Sequence, residues 1–191
     1  MFSAFANVRI TADQTAQLGR ILEQLTKAKV YVGVPEGAER SDEITNAELL
    51  YIQTHGVRAK SMREEMNPRI ESGEMAYSQA YELYIQSHGS PLWYIPPRPV
   101  VEPAIEKNMP KLAKQMQKAA VAALDGNDIA PELHRAGMMG QNYVRGYFTD
   151  PANGWPANAP ATVEAKGSDR PLIDTGELRK AITYAVEGVN T

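Results

Sequence analysis

Leu172-Ile173-Asp174-Thr175-Gly176 is the segment of this chain closest to a catalytic motif, because an aspartate in this setting can share a proton with its copy across a dimer axis, as in aspartic proteases. One copy per chain would serve a homodimeric protease. That loop belongs to all-β domains with strands on both sides, whereas Glu177-Leu178-Arg179-Lys180-Ala181 reads here as a helix. Asp174, Thr175 and Gly176 are therefore expected to act as a structural cap at its start. Three histidines, His55, His88 and His134, raise the question of a metal site. None has a second histidine or a carboxylate three or four residues away, the spacing that places two ligands on one helical face. His55 and His88 fall at the C-terminal ends of helical patterns, where an imidazole favourably meets the helix dipole. Cysteine is absent, which removes disulfides, thiol nucleophiles and thiolate metal sites together. Gly33-Val34-Pro35-Glu36-Gly37 lacks the lysine and the spacing of a phosphate loop. No catalytic residue, cofactor or metal ligand is expected, and the chain reads as a non-enzyme.

The remaining candidates are surfaces. Lys107, Lys111, Lys114 and Lys118 form a stripe that could meet phosphates, but Glu102 and Glu106 lie beside it and a solvated helix face accounts for the pattern. A net charge of −3, from 20 basic and 23 acidic residues, gives no reason to expect a tight grip on nucleic acid. Trp93, Tyr94, Pro96, Pro97, Arg98 and Pro99, with Trp155 and Pro156, combine aromatic rings with stiff backbone, which suits protein contact at low entropic cost. These eight residues are the candidate interface. The alternative for both segments is a loop tied to its own core.

The elements that must carry these residues follow from periodicity and punctuation. Thr11-Ala12-Asp13-Gln14 reads as a capping box, followed by a helix with Leu18, Ile21, Leu22 and Leu25 on one face. Lys29 to Val34 alternates as a strand, and a polar stretch from Ala38 to Thr45 leads to a helix from Asn46 that Gly56 stops in a left-handed cap. Leu83-Tyr84-Ile85-Gln86-Ser87-His88-Gly89 then repeats Leu50-Tyr51-Ile52-Gln53-Thr54-His55-Gly56 with one Thr/Ser change, a duplicated helix. Between the copies, Arg58 to Gly73 is charged and poorly periodic, and an exposed, mobile loop or arm is expected there. Prolines make Trp93 to Pro99 an extended connector. A long helix is expected from Pro103 to Asp125-Gly126-Asn127, kinked at Pro110, with Ile105, Met109, Leu112, Met116, Ala119 and Ala123 inward. A second runs from about Pro131 to Phe148, where Gly137 and Gly140 imply a close backbone neighbour. A turn-rich loop around Trp155, short helices at Ala161 to Lys166 and up to Ala181, and a strand at Ile182 to Val186 complete the chain.

This is an α+β pattern: a small antiparallel sheet packed with several helices, one of them long and amphipathic. With 43% apolar and 23% charged residues over 191 positions, one domain spanning 1–191 is expected, with 57–89 as an insertion carrying the duplicated helix. No apolar run approaches a membrane span, and Met1-Phe2-Ser3-Ala4-Phe5 has neither the basic nor the apolar region of a secretion signal, so folding in a cytoplasm is expected.

The order of these segments resembles the neck, or head–tail joining, proteins of tailed bacteriophages, also labelled tail-completion proteins. The resemblance covers the strand at Val30 to Val34, the Asn46 helix, Ile95-Pro96-Pro97-Arg98-Pro99 with Glu102-Pro103-Ala104-Ile105, Gly154-Trp155-Pro156-Ala157-Asn158-Ala159-Pro160, and the stretch from Lys166-Gly167-Ser168 to Gly176-Glu177-Leu178. It departs where the family carries one helix ending in Phe-Gly and this chain carries two ending in His-Gly, and where the family's Phe after Arg98-Pro99 is Val100. The resemblance implies a structural virion protein, made in the host bacterial cytoplasm, that forms a six- or twelve-fold homo-oligomeric ring between head connector and tail. It implies DNA as passing cargo, head-closure and tail-terminator or tail-tube proteins as partners, no membrane and no catalysis. In such a ring the lysine stripe is expected to point away from the lumen, since inward lysines would hold the DNA. A tail-terminator role shares this ring logic.

Overall fold

The computed structural model describes residues 15–37, 44–89 and 92–189. The expected capping box at Thr11 to Gln14 and most of the polar stretch that begins at Ala38 lie outside them. Helix α1 (Thr15–Lys27) turns Ile21 and Leu25 toward the core and leaves Leu18 and Leu22 about half exposed. Strand β1 (Lys29–Gly33) follows after one residue and pairs along its whole length, antiparallel, with the strand that closes the chain, Lys29 opposite Glu187 and Gly33 opposite Thr183. The fold thus ties its first strand to its last.

Helix α2 (Asn46–His55) starts in a reciprocal cap. The Thr45 hydroxyl accepts the Glu48 N–H at 3.1 Å, and the Glu48 carboxylate accepts the Thr45 N–H at 2.7 Å. Those bonds, the one from the Thr45 backbone foremost, hold the Glu48 carboxyl below the ordinary glutamate range. Because the folded value is the lower one, the cap's contribution is complete above the unfolded pKa and disappears as pH falls through the folded value. Urea titrations stepped into the acid range should show this loss in the wild type. Glu48→Gln, whose amide oxygen accepts the same bond without titrating, should lack that component of the pH dependence.

Gly56 ends α2 at positive φ (70°) but with extended ψ (175°), so it is not the left-handed cap expected. An added Cβ there would lie 2.6 Å from the Ile95 carbonyl oxygen, which is the close approach that requires glycine. The two-residue strand β2 (Val57–Arg58) comes next. Lys60 to Glu71, expected as loop, is helix α3 (Lys60–Glu71), which turns back into α4 (Tyr77–His88), the duplicated copy. Met62, Met66, Ala80 and Tyr84 form a cluster between these two helices, bordered by Ile70, Met75, Tyr81 and Ile85. Segment 57–89 is therefore a helical hairpin with its own small core. Strand β3 (Trp93–Ile95) then pairs antiparallel with β2.

Helix α5 (Val101–Leu124) is continuous through Pro110 and begins two residues before Pro103. Its inward face is the expected one at Ala119 and Ala123, with Ile105 and Leu112 half-buried, and departs from it at the methionines. Ala104, Gln115, Ala119 and Ala123 are buried, whereas Met109 and Met116 are 50% and 40% exposed. The packing against α6 (Ala130–Tyr147) explains the departure, since small residues let the helices approach and Gln115 donates to the Glu132 backbone carbonyl at 3.0 Å and to its carboxylate at 2.6 Å. Leu133, Gly137, Gly140, Val144 and Phe148 are all buried, as the α6 periodicity requires. The neighbours that Gly137 and Gly140 admit are side chains, Tyr184 and Val32, and not backbone.

After a 3-10 turn at Pro151–Asn153 come α7 (Pro160–Lys166), α8 (Glu177–Ala181) and β4 (Thr183–Glu187). One core joins Val100, Ala104, Val144, Phe148, Leu178 and Ile182; a second joins Ala119, Ala123, Ile129 and Leu133 under α1 and β1. The architecture is α+β, with two two-stranded antiparallel sheets among the described residues and α6 packed between the long α5 and the β1–β4 pair. Among the described residues no helix is long and apolar enough to cross a membrane.

Candidate interface groove

Proline geometry in the connector leaves few choices for the residue between Pro97 and Pro99, and Arg98 there binds two other parts of the fold, α2 and the Trp155 loop. Its backbone N–H donates to the Gln53 carbonyl of α2 at 2.6 Å. Its guanidinium reaches the loop some sixty residues on, Nε to the Pro156 carbonyl at 3.0 Å and Nη2 to that of Ala157 at 2.9 Å. Arg98 is only 6% exposed, and burial pulls its pKa below the ordinary arginine value. Its partners are neutral carbonyls. No carboxylate forms an ion pair with it among the described residues.

Trp155 completes the junction from the other side. Its indole N–H donates to the Pro99 carbonyl at 2.9 Å, and its ring meets Tyr147 and Phe148 edge-on, with centroids 5.7 and 6.1 Å away. Asp150 braces the same loop: it accepts from Lys107 and from the Ala152 N–H, and the Lys107 bond is the main reason its carboxyl sits below the usual aspartate range. Arg98 and Trp155 are thus bound inside the chain's own core. Trp93 is half-buried beneath Arg58, whose guanidinium carbon stands 3.4 Å over the indole and 4.9 Å from the Tyr81 ring. Tyr94, on the opposite face of β3, is 78% exposed. Pro96, Pro97 and Pro99 are half-buried and Pro156 is exposed.

Between the connector and the 172–178 turn lies an open groove of about 810 Å³. Trp93, Tyr94, Ile95 and Arg98 form one wall, and Thr162 and Lys166 of α7 with Asp174 and Glu177 contribute the other. Gln53 also lines it, and the Oε1 atom of that side chain is buried with no hydrogen-bond partner among the described residues. Leu172 sits at its edge with φ of 58°, a left-handed conformation that costs a branched residue about 1–2 kcal/mol. At the turn itself Gly176, in left-handed geometry, holds the N-cap position of α8, while the Thr175 hydroxyl accepts the Glu177 N–H at 3.4 Å. Asp174 is exposed and does not occupy the cap. The chain continues from this turn into α8, as the sequence indicates.

The histidines stand apart from one another in role. The Nδ1 atoms of His55 and His88 lie 2.9 and 3.1 Å from the carbonyl oxygens of Tyr51 and Tyr84, one helical turn back, and each imidazole packs on that tyrosine's ring. His134 meets Tyr184 edge-on. Among the described residues no group of three metal-ligating side chains comes together. Lys107, Lys111, Lys114 and Lys118 are all exposed, and Lys111 lies 5.7 Å from the Tyr143 ring centroid.

Of the eight candidate interface residues, the structure brings Arg98, Pro99, Trp155 and Pro156 into one junction and sets Trp93, Tyr94 and Pro96 along the groove beside it. Gln53, Arg58, Thr162 and Lys166 were not among them. Arg58 stands two residues after the first copy of the repeat and Gln53 inside it, but none of the four is marked as a site residue by its local sequence, and the fold assembles them. The arrangement is an open groove of mixed polar and apolar lining, with a buried cation and a buried acceptor that lacks a donor among the described residues. Comparison with known proteins finds no matching family model, no matching curated protein and no matching solved structure.

Proposed function

We propose that this chain is a structural neck protein of a tailed bacteriophage, assembling as a ring between the head connector and the tail. The observation that carries the reading is the Arg98 junction. The connector, the Trp155 loop and the Lys166–Leu178 stretch, the segments on which the resemblance rests, are distant in sequence and converge on this junction and its groove. A locked proline–arginine turn beside an open groove supplies a rigid surface, and rigid surfaces lose little entropy on assembly. The exposed lysine stripe on α5 then lies on the outer or intersubunit side, away from passing DNA.

The experiment is genetic and structural together. An in-frame deletion should leave filled heads and complete tails that fail to join, and complementation should restore joined particles carrying the chain at the neck by immunogold labelling. Normal particles from the deletion, or particles without the chain, would refute the reading. Unjoined tails of uncontrolled length would instead favour a tail-terminator role.

A further inference from the structure

Among the described residues, the groove holds a buried cation with no carboxylate bonded to it and a strand edge that no other strand pairs with. Arg98 is buried, lines the groove and donates only to two neutral carbonyls, with no carboxylate paired to it among the described residues. A guanidinium has five N–H donors in a planar fork suited to a carboxylate, and the two carbonyls take only two of them. Lys166, half-buried on the opposite wall, is the second cation of the groove, its Nζ donating to the Arg170 carbonyl at 2.7 Å. Strand β3 pairs with β2 on one edge and with no other strand among the described residues. Such an edge favours an extended occupant over a compact one.

We propose that the groove is the docking site for an extended, acidic segment of a partner protein, laid along β3 with a carboxylate on Arg98. Tyr94 and Ile95 offer the apolar wall for its alternate side chains. Asp174 also lines the groove and would repel a carboxylate set beside it, so the acid is placed at Arg98. The proposal takes from the neck reading only that the chain has a protein partner.

The probe is a labelled, end-blocked peptide of alternating valine and aspartate, titrated into the full chain by fluorescence anisotropy, with the valine–lysine peptide as its counterpart. Arg98 itself is structural, so the charge is altered at Thr162, an exposed residue of the groove wall. The aspartate peptide should bind and the lysine peptide should not, and amide exchange should slow at 93–95. Thr162→Glu should weaken binding and Thr162→Lys tighten it, each about three- to fivefold. No binding, equal binding of the two peptides, indifference to both Thr162 variants, or release of the peptide by equimolar inorganic phosphate would overturn the proposal. Because the titration needs no particles, a chain absent from virions whose groove still selects the acid would refute the neck and leave the groove, and the converse result would do the reverse.

Discussion

Replacing Arg98 with alanine is expected to lower the stability of the fold by about 3–5 kcal/mol, because two bonds from a charged donor are lost inside the protein. The carbonyls of Pro156 and Ala157 would be left without their donors, and the connector would lose the side chain that fixes it against the Trp155 loop. At this chain length that corresponds to a fall in Tm of roughly 6–20 °C. Two further variants decide which effect dominates. Arg98→Lys keeps the charge but cannot span two carbonyls with a fork, so it should recover only part of the loss. Arg98→Met keeps the volume and removes the cation. Should the cost of burying an unpaired charge outweigh the two bonds, the methionine variant would match or exceed the wild type. We expect it to fall between wild type and alanine, because the bonds also hold the loop in place. Urea unfolding followed by Trp155 and Trp93 fluorescence reads both walls of the junction. An alanine variant within about 1 kcal/mol of the wild type would remove Arg98 from its structural role, that being the scale of an ordinary single hydrogen bond.

Where one face of an element alone decided its placement, the sequence was sufficient. The buried side of α6, the strands at Lys29 and Thr183 and the short helix after Gly176 follow from period and punctuation. Helix α3 was hidden because its only buried residues are Met62 and Met66, two positions among charges, with Pro68 suggesting a break. Its partner is the neighbouring α4, so a narrow apolar stripe suffices and no long periodic face is written into the sequence. In α5 the expected face holds at Ala119 and Ala123 and fails at its two methionines. Close helix packing favours small residues and a hydrogen-bonded glutamine there, leaving Met109 and Met116 outside. The groove was half legible: proline and tryptophan marked the connector and the loop, but that the two are bolted together by Arg98 is a fact of tertiary contact across 58 residues. Gln53 and Thr162 had no signal of their own, since each joins the groove only because of where its helix is packed.

Gly137→Ala should destabilise the protein by about 2–3 kcal/mol, although alanine is the better helix former by about 1 kcal/mol. The reason is local. A Cβ at residue 137 would overlap the Tyr184 ring, including the atom where the ring joins its stem, so the ring cannot simply swing its far end away. Tyr184 belongs to β4, which is paired through its whole length to β1, and moving it would disturb the contact of α6 with both strands. Gly146, nine residues further along and with nothing within 4 Å of an added Cβ, is the internal control. Gly146→Ala should be neutral or stabilising by up to about 1 kcal/mol, since only the backbone term remains. The two substitutions are chemically identical and sit on one helix, so their difference isolates packing from propensity. Adding Tyr184→Ala to Gly137→Ala should recover at least about 1 kcal/mol relative to the sum of the single changes, the signature of two residues competing for one space. Chemical denaturation of the four proteins completes the cycle. Were Gly137→Ala as mild as Gly146→Ala, α6 could not lie on the β1–β4 pair as closely as the structure places it. The inward glycine side of that helix would then need another explanation.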